Sequence, residues 1–265
     1  MRTSAFRNAL RVETSRCICS GVFFLQTGLF LLWLYLNSFD YIAFDRYFKE
    51  LSWPHILNRA ATSSLNFSYL IMILGAVGYA WSYLSDRETG FALQAISRVG
   101  AGRWAAAKYL AVVLGAFAAA ALAVCLFGAM LSVIGTPRLE QEFDFGPEEP
   151  YMSYFIEGSG VRYVLIRALV TGLSSAFAGA LAIVCSAFLK NRYVTMITPL
   201  LLYLSVNTLA ELLNTDMSLS WYALLFTETR PTPAASLTHA CLSLLALTAI
   251  CGGVFVWKVR KEARP

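Results

Sequence analysis

Residues 109–134 read YLAVVLGAFAAAALAVCLFGAMLSVI, an apolar run without a single charged side chain. A helix of about 20 such residues crosses the roughly 30 Å of hydrocarbon in a bilayer. Five more stretches of similar character surround it, near 21–37, 65–84, 163–189, 193–212 and 236–257. The 265-residue chain is 58% hydrophobic and only 14% charged, with a mean hydropathy of +0.59. Soluble domains hold about 45–50% apolar and roughly 25% charged residues, so this composition points to lipid as the solvent. Backbone groups in lipid must be satisfied within the fold, and a barrel would show alternating segments of roughly ten residues. The sequence therefore predicts an all-α integral membrane protein with six transmembrane helices.

The basic residues give the orientation. Arg2, Arg7, Arg11 and Arg16 precede the first span, and Arg87, Arg98, Arg103 and Lys108 separate the second from the third. Lys190 and Arg192 lie between spans four and five, and Lys258, Arg260, Lys261 and Arg264 follow the sixth. These alternate segments hold fourteen of the 21 Lys and Arg. The loop between spans three and four is acidic instead, with Glu140, Glu142, Asp144, Glu148, Glu149 and Glu157. The positive-inside rule then predicts a multi-pass protein of the cell (cytoplasmic) membrane with both termini cytoplasmic. Topology accounts for the net charge of +5, and no nucleic-acid partner is inferred from it. No small-residue cleavage site follows Leu36, so the first span is read as uncleaved.

Between spans two and three, residues 85–110 read SDRETGFALQAISRVGAGRWAAAKYL, far more than a turn requires. Ser85 and Glu88 form an S-x-x-E capping box, and Asp86 and Glu88 suit a helix N-terminus. Phe91, Ala92, Ala95, Ile96 and Val99 recur at helical spacing, Gly100 is a stop, and Gly102 permits a second turn. The spacing predicts one amphipathic helix over about 86–99. Its acidic first turn argues against a helix built only for anionic lipid, and such a helix can insert into a groove of a soluble partner. Residues 1–20 place Phe6, Ala9 and Leu10 on one face beside Arg7 and Arg11, which suits either a helix lying in the interface or a basic leader.

The remaining segments carry little chemistry. The first outer loop, about 38–64, holds Tyr41, Tyr47 and Trp53 as headgroup-level aromatics, and SLSWYALLF in the third is too short to span. Gly115, Ala119 and Ala123, like Gly172, Ala176 and Ala180, form small-residue faces that suit a packed bundle or a dimer seam. Pro199 is expected to kink span five. No phosphate-binding G-x-x-x-x-G-K-[ST] loop, zinc-binding H-E-x-x-H or G-x-S-x-G elbow exists, and Gly158-Ser159-Gly160 is read as a flexible loop. The spans are read as lacking the buried acids and bases of a proton-coupled carrier. The chain is not expected to be an enzyme or to bind a metal. Cys17 and Cys19 form a C-x-C at the membrane edge, where a structural role is the plainer reading.

Glu88-Thr89-Gly90, then Ser97-Arg98, then Lys108 at the start of span three, resemble the ABC-2 type transporter permease family. Many members have proline just before the Ser-Arg pair, where this chain has Ile96. The resemblance implies a type V exporter-like bundle: a connecting helix over 1–20, a transmembrane domain over 21–258 with a coupling helix near 86–99, and a tail over 259–265. It implies a permease subunit without its own ATPase, binding no cofactor, whose separate nucleotide-binding subunit holds ATP and Mg. Partners would be that subunit, a second permease copy or paralogue, and membrane lipid. Glu88, Gly90, Phe91, Ile96 and Arg98 would form the docking surface, with Gly90 allowing close approach. The cargo of such a pump would be peptide, lipid-like or drug-like, antimicrobial-peptide immunity included. Gln26, Asn66 and Asn207 could touch it, although packing across helices is the plainer role for each. The alternatives are an ATP-independent secondary carrier and a non-transporting scaffold or sensor.

Overall fold

The computed structural model describes residues 2–48, 53–62, 65–134, 151, 154, 159–213 and 232–263. Among these every regular element is helical. In chain order they are α1 (Arg2–Ile18), α2 (Gly21–Phe48), α3 (Trp53–Thr62), α4 (Leu65–Val77), a 3-10 turn (Tyr79–Trp81) and α5 (Ser82–Glu88). Then follow α6 (Phe91–Val99), α7 (Ala101–Ile134), α8 (Gly160–Phe188), α9 (Arg192–Leu212) and α10 (Pro233–Glu262). Five of them, α2, α7, α8, α9 and α10, are long and apolar enough to cross a membrane. The chain is a multi-pass α-helical membrane protein.

The second predicted span, 65–84, is not one helix. It breaks after Val77, passes through the 3-10 turn and resumes as α5. In an unbroken helix the Leu74 carbonyl would accept from the Gly78 N–H. Here it accepts from Gln26 Nε2 at 2.7 Å, and a Cβ on Gly78 would overlap the Gln26 side chain. A side chain of α2 thus supplies a hydrogen bond to the last turn of α4 at the break, which is how membrane helices tolerate interruption.

The core is built on α7 and α8. Gly115, Ala119 and Ala123 of α7 and Gly172, Ala176 and Ala180 of α8 are all buried. A Cβ on Gly179 would lie 3.1 Å from Ala116 Cβ and 3.2 Å from the Gly75 carbonyl, and one on Gly172 would press on Phe117 at 2.8 Å. Helices α4, α7 and α8 therefore cross nearly backbone to backbone, and these small faces close the bundle of a single chain. The interval 38–64 is also not a plain loop. Helix α2 continues to Phe48, and α3 inserts Ile56, Leu57, Ala60 and Ala61 fully into the core.

Helix α1 is docked on the bundle. It packs along α7 and buries Glu13 and Cys17, with Cys17 filling the space above Gly115. Burial raises the Cys17 thiol to about 11, the Lys108 ammonium opposing that shift only in part, while Cys19 two residues on is exposed. A membrane-permeant maleimide at pH 7.5 is therefore expected to label Cys19 in the folded protein and Cys17 only after denaturation. Mass mapping checks this, and rapid native labelling of Cys17 would show that α1 is undocked.

Three smaller expectations resolve locally. Gly102 makes no second turn: it lies in the first turn of α7, under the Arg260 side chain. Pro199 sits inside α9 without ending it. Ser159 caps α8, accepting from the Arg162 N–H at 3.3 Å, so it starts a helix. The acidic loop and the SLSWYALLF stretch lie outside the described residues, apart from Tyr151 and Tyr154.

Candidate functional site at the basic end of the bundle

Residues 86–99 do not form one capped helix. Ser85 and Glu88 both belong to α5, and the Ser85 carbonyl accepts from the Thr89 N–H at 3.0 Å and from Thr89 Oγ1 at 2.9 Å. No capping box forms, because the helix is already under way when the motif is reached. Gly90, at φ +74°, turns the chain left-handed between α5 and α6, and no atom lies within 4 Å of a Cβ built there. Its glycine is needed for that backbone angle, and the space beside it is open. Gly100, at φ +90°, stops α6 as expected.

Asp86 is not a dipole partner for a helix start either. It is 3% exposed and accepts from Lys108 Nζ at 2.6 Å. Lys108 is wholly buried and also donates to Glu13 Oε2 at 3.0 Å and to the Tyr79 hydroxyl at 3.3 Å. Tyr79 in turn donates to Glu13 Oε2 at 3.0 Å. Arg16 closes the ring, reaching Asp86 Oδ1 at 3.1 Å and Glu13 Oε1 at 3.3 Å, with its guanidinium 4.7 Å from the centre of the Phe91 ring. Two carboxylates and two cations balance, so the cluster is neutral overall. It ties α1, α5 and α7 together and touches α6. Contrary to the reading of the spans as free of buried acids and bases, this cluster is buried at the end of span three.

The same end gathers all four basic segments. Arg192 reaches Glu88 at 2.8 Å, and Glu262 of α10 meets Lys258 at 3.1 Å and Arg87 at 3.9 Å. Exposed pairs of this kind contribute about 0–1 kcal/mol each. Their effect is geometric: the Glu88 pair ties the end of α5 to the first residue of α9.

The docking candidates therefore separate. Ala92 is buried, and Ala95, Ile96 and Val99 pack with it on Tyr83 and Trp104, so the apolar face of α6 points into the bundle. Ile96 is accordingly a packing residue. Phe91 and Arg98 are exposed, and Leu93, which the periodic pattern passes over, is 75% exposed. Beside them a groove of about 330 Å³ runs between α1 and α6, bordered by Ala9, Val12, Phe91, Gln94 and Arg98.

The suggested substrate contacts differ in their surroundings. Gln26 is buried and holds the Leu74 carbonyl; Asn207 Oδ1 on α9 is buried with no hydrogen-bond partner among the described residues. Asn66 lies on α4, but its side chain is outside the described residues. Sequence reasoning missed Arg167, a cation only 2% exposed within α8, whose Nε has no partner among the described residues. It also missed Glu13. The signal for Glu13 was there, as the only acid before Asp40 in a segment of four arginines. No group of His, Cys, Asp and Glu that could hold a metal occurs among the described residues.

No family model, curated protein or solved structure matches the chain. Its fold and site define a class, a multi-pass helical membrane protein with an ion-paired, helix-bearing basic end.

Proposed function

We propose that the chain is the permease subunit of an ATP-driven exporter of the ABC-2 type, with ATP hydrolysed by a separate subunit that docks on α6. The observation that carries this reading is the construction of α6. It is a short helix between the second and third apolar segments, seated on the bundle by Ala92, Ile96 and Val99, with Phe91, Leu93 and Arg98 turned outward. Through Arg16 and its ion pairs, displacement of Phe91 is felt by α1 and α7. The Glu88–Arg192 pair links the adjoining turn to α9. A helix braced on several sides transmits motion that a flexible loop would absorb. The cargo is peptide, lipid-like or drug-like.

Leu93→Asp or Arg98→Glu is expected to weaken capture of the ATPase subunit at least about tenfold, as removal of an interface anchor does. The permease should remain inserted, because neither side chain is buried. Co-purification from mild detergent measures this, and undiminished capture by both variants rules out docking on α6.

One observation favours a second reading, an ATP-independent carrier. Buried acids paired with a lysine are the parts from which proton relays are made, and Glu13, Asp86 and Lys108 are such a set. That reading expects proton uptake by vesicles containing this chain alone, abolished by Glu13→Gln.

A further inference from the structure

Away from α6, the basic end carries an open notch between α7 and α10, about 770 Å³ in volume. Its walls are Tyr109, Leu110 and Val256, and its floor is the Gly252-Gly253 pair. No atom lies within 4 Å of a Cβ built on Gly253, so the floor is open there. The wall offers no free hydroxyl, since Tyr109 donates to the Thr248 carbonyl. At the mouth stand Arg260 and Lys261, both exposed. Lys261 lies 5.4 Å from the ring centre of Trp257, itself 57% exposed. Neither cation pairs with an acid among the described residues, because Glu262 is engaged with Arg87 and Lys258.

The dimensions and charges identify the occupant. From Gly252 to Lys261 the helix rises about 14 Å, close to one leaflet's share of the roughly 30 Å hydrocarbon. An apolar slot of one-leaflet depth, opening beneath two unpaired cations and an interfacial tryptophan, matches a lipid with an anionic headgroup. A second copy of this chain fits less well. At the same end it would bring its own cations, while Glu13, Asp86, Glu88 and Glu262 are already paired. We infer that the α7–α10 notch is a binding site for an anionic phospholipid, its phosphate held by Arg260 and Lys261 and one acyl chain lying over Gly253. This site does not depend on the transporter reading.

Native mass spectrometry of the full chain tests it, with phosphatidylglycerol and phosphatidylcholine of identical acyl chains added in turn. Retention of phosphatidylglycerol should exceed that of phosphatidylcholine about tenfold, since each cation near an anionic headgroup favours it. Arg260→Ala with Lys261→Ala should remove that preference. Gly253→Leu, whose Cβ meets no neighbour and whose remaining carbons project into the slot, should lower retention of both lipids. Arg7→Ala with Arg11→Ala, the same charge change on α1, should alter neither. Equal retention of the two lipids by the unaltered protein overturns the proposal, as does displacement by inorganic phosphate. Retention unchanged in Gly253→Leu overturns the placement of the chain, and loss of a dimer in that variant without loss of lipid assigns the notch to a second copy instead.

Discussion

Lys108→Met is expected to destabilise the protein by about 3–5 kcal/mol, because it removes the only fully buried cation of the cluster and leaves two buried carboxylates, Glu13 and Asp86, with the partly exposed Arg16 alone to balance them. Lys108 is wholly enclosed, so water cannot replace the ammonium without opening the seam between α1 and α7. Thermal unfolding in detergent should show the loss, with α1 becoming accessible to protease. Adding Asp86→Asn and Glu13→Gln should restore most of the stability, since groups of similar shape then leave no buried unpaired charge. Arg16 is 41% exposed at its side chain and can be solvated once its partners are neutral. If Lys108→Met is as stable as the parent, the ion cluster is not what holds α1 in place.

Gly75→Leu should be nearly as damaging for a different reason. A Cβ at Gly75 would sit 2.6 Å from the Ser175 carbonyl oxygen and 2.8 Å from Ala178 Cβ. Neither neighbour is the end of a flexible side chain, so α4 must move away from α8. Overpacking of this kind costs typically about 1–3 kcal/mol, occasionally more, and leucine adds three carbons beyond the first clash. Gly28→Leu on α2 is the matched control, because nothing lies within 4 Å of a Cβ there. Loss of folded protein for Gly75→Leu alone is the expected pattern. Equal effects at the two sites would mean that the α4–α8 crossing is not close-packed.

What the sequence revealed, and what it concealed, follows from the range over which each signal acts. Runs such as 109–134 and 236–257 declare themselves by composition alone, and they are helices that can cross a bilayer. The small faces at Gly115 and Gly172 were legible for the same reason, since four-residue spacing is local. The break at Gly78 was not. It depends on Gln26, 48 residues before the Leu74 carbonyl that it holds, and a glycine within an apolar stretch does not announce an interruption. The Ser85–Glu88 motif misled because a capping box marks a helix start only where no helix is already running. Asp86 and Lys108 could each be seen as charged residues near a membrane surface. Their pairing with Glu13 was invisible, because burial converts a topology signal into an ion cluster only after α1 has docked. Likewise α6 had a correct apolar face, but periodicity cannot tell whether that face meets its own bundle or a partner. The exposed Leu93, off the pattern, marks the outward side.

The most direct test of a permease driven through α6 is to purify the full chain from its own membranes in mild detergent and assay the preparation for ATPase activity. The proposed function predicts that a separate ATPase chain accompanies the permease and is lost on Leu93→Asp, with the permease still folded. A chain that purifies without any ATPase, and that alone makes vesicles take up protons until Glu13→Gln stops them, would contradict it.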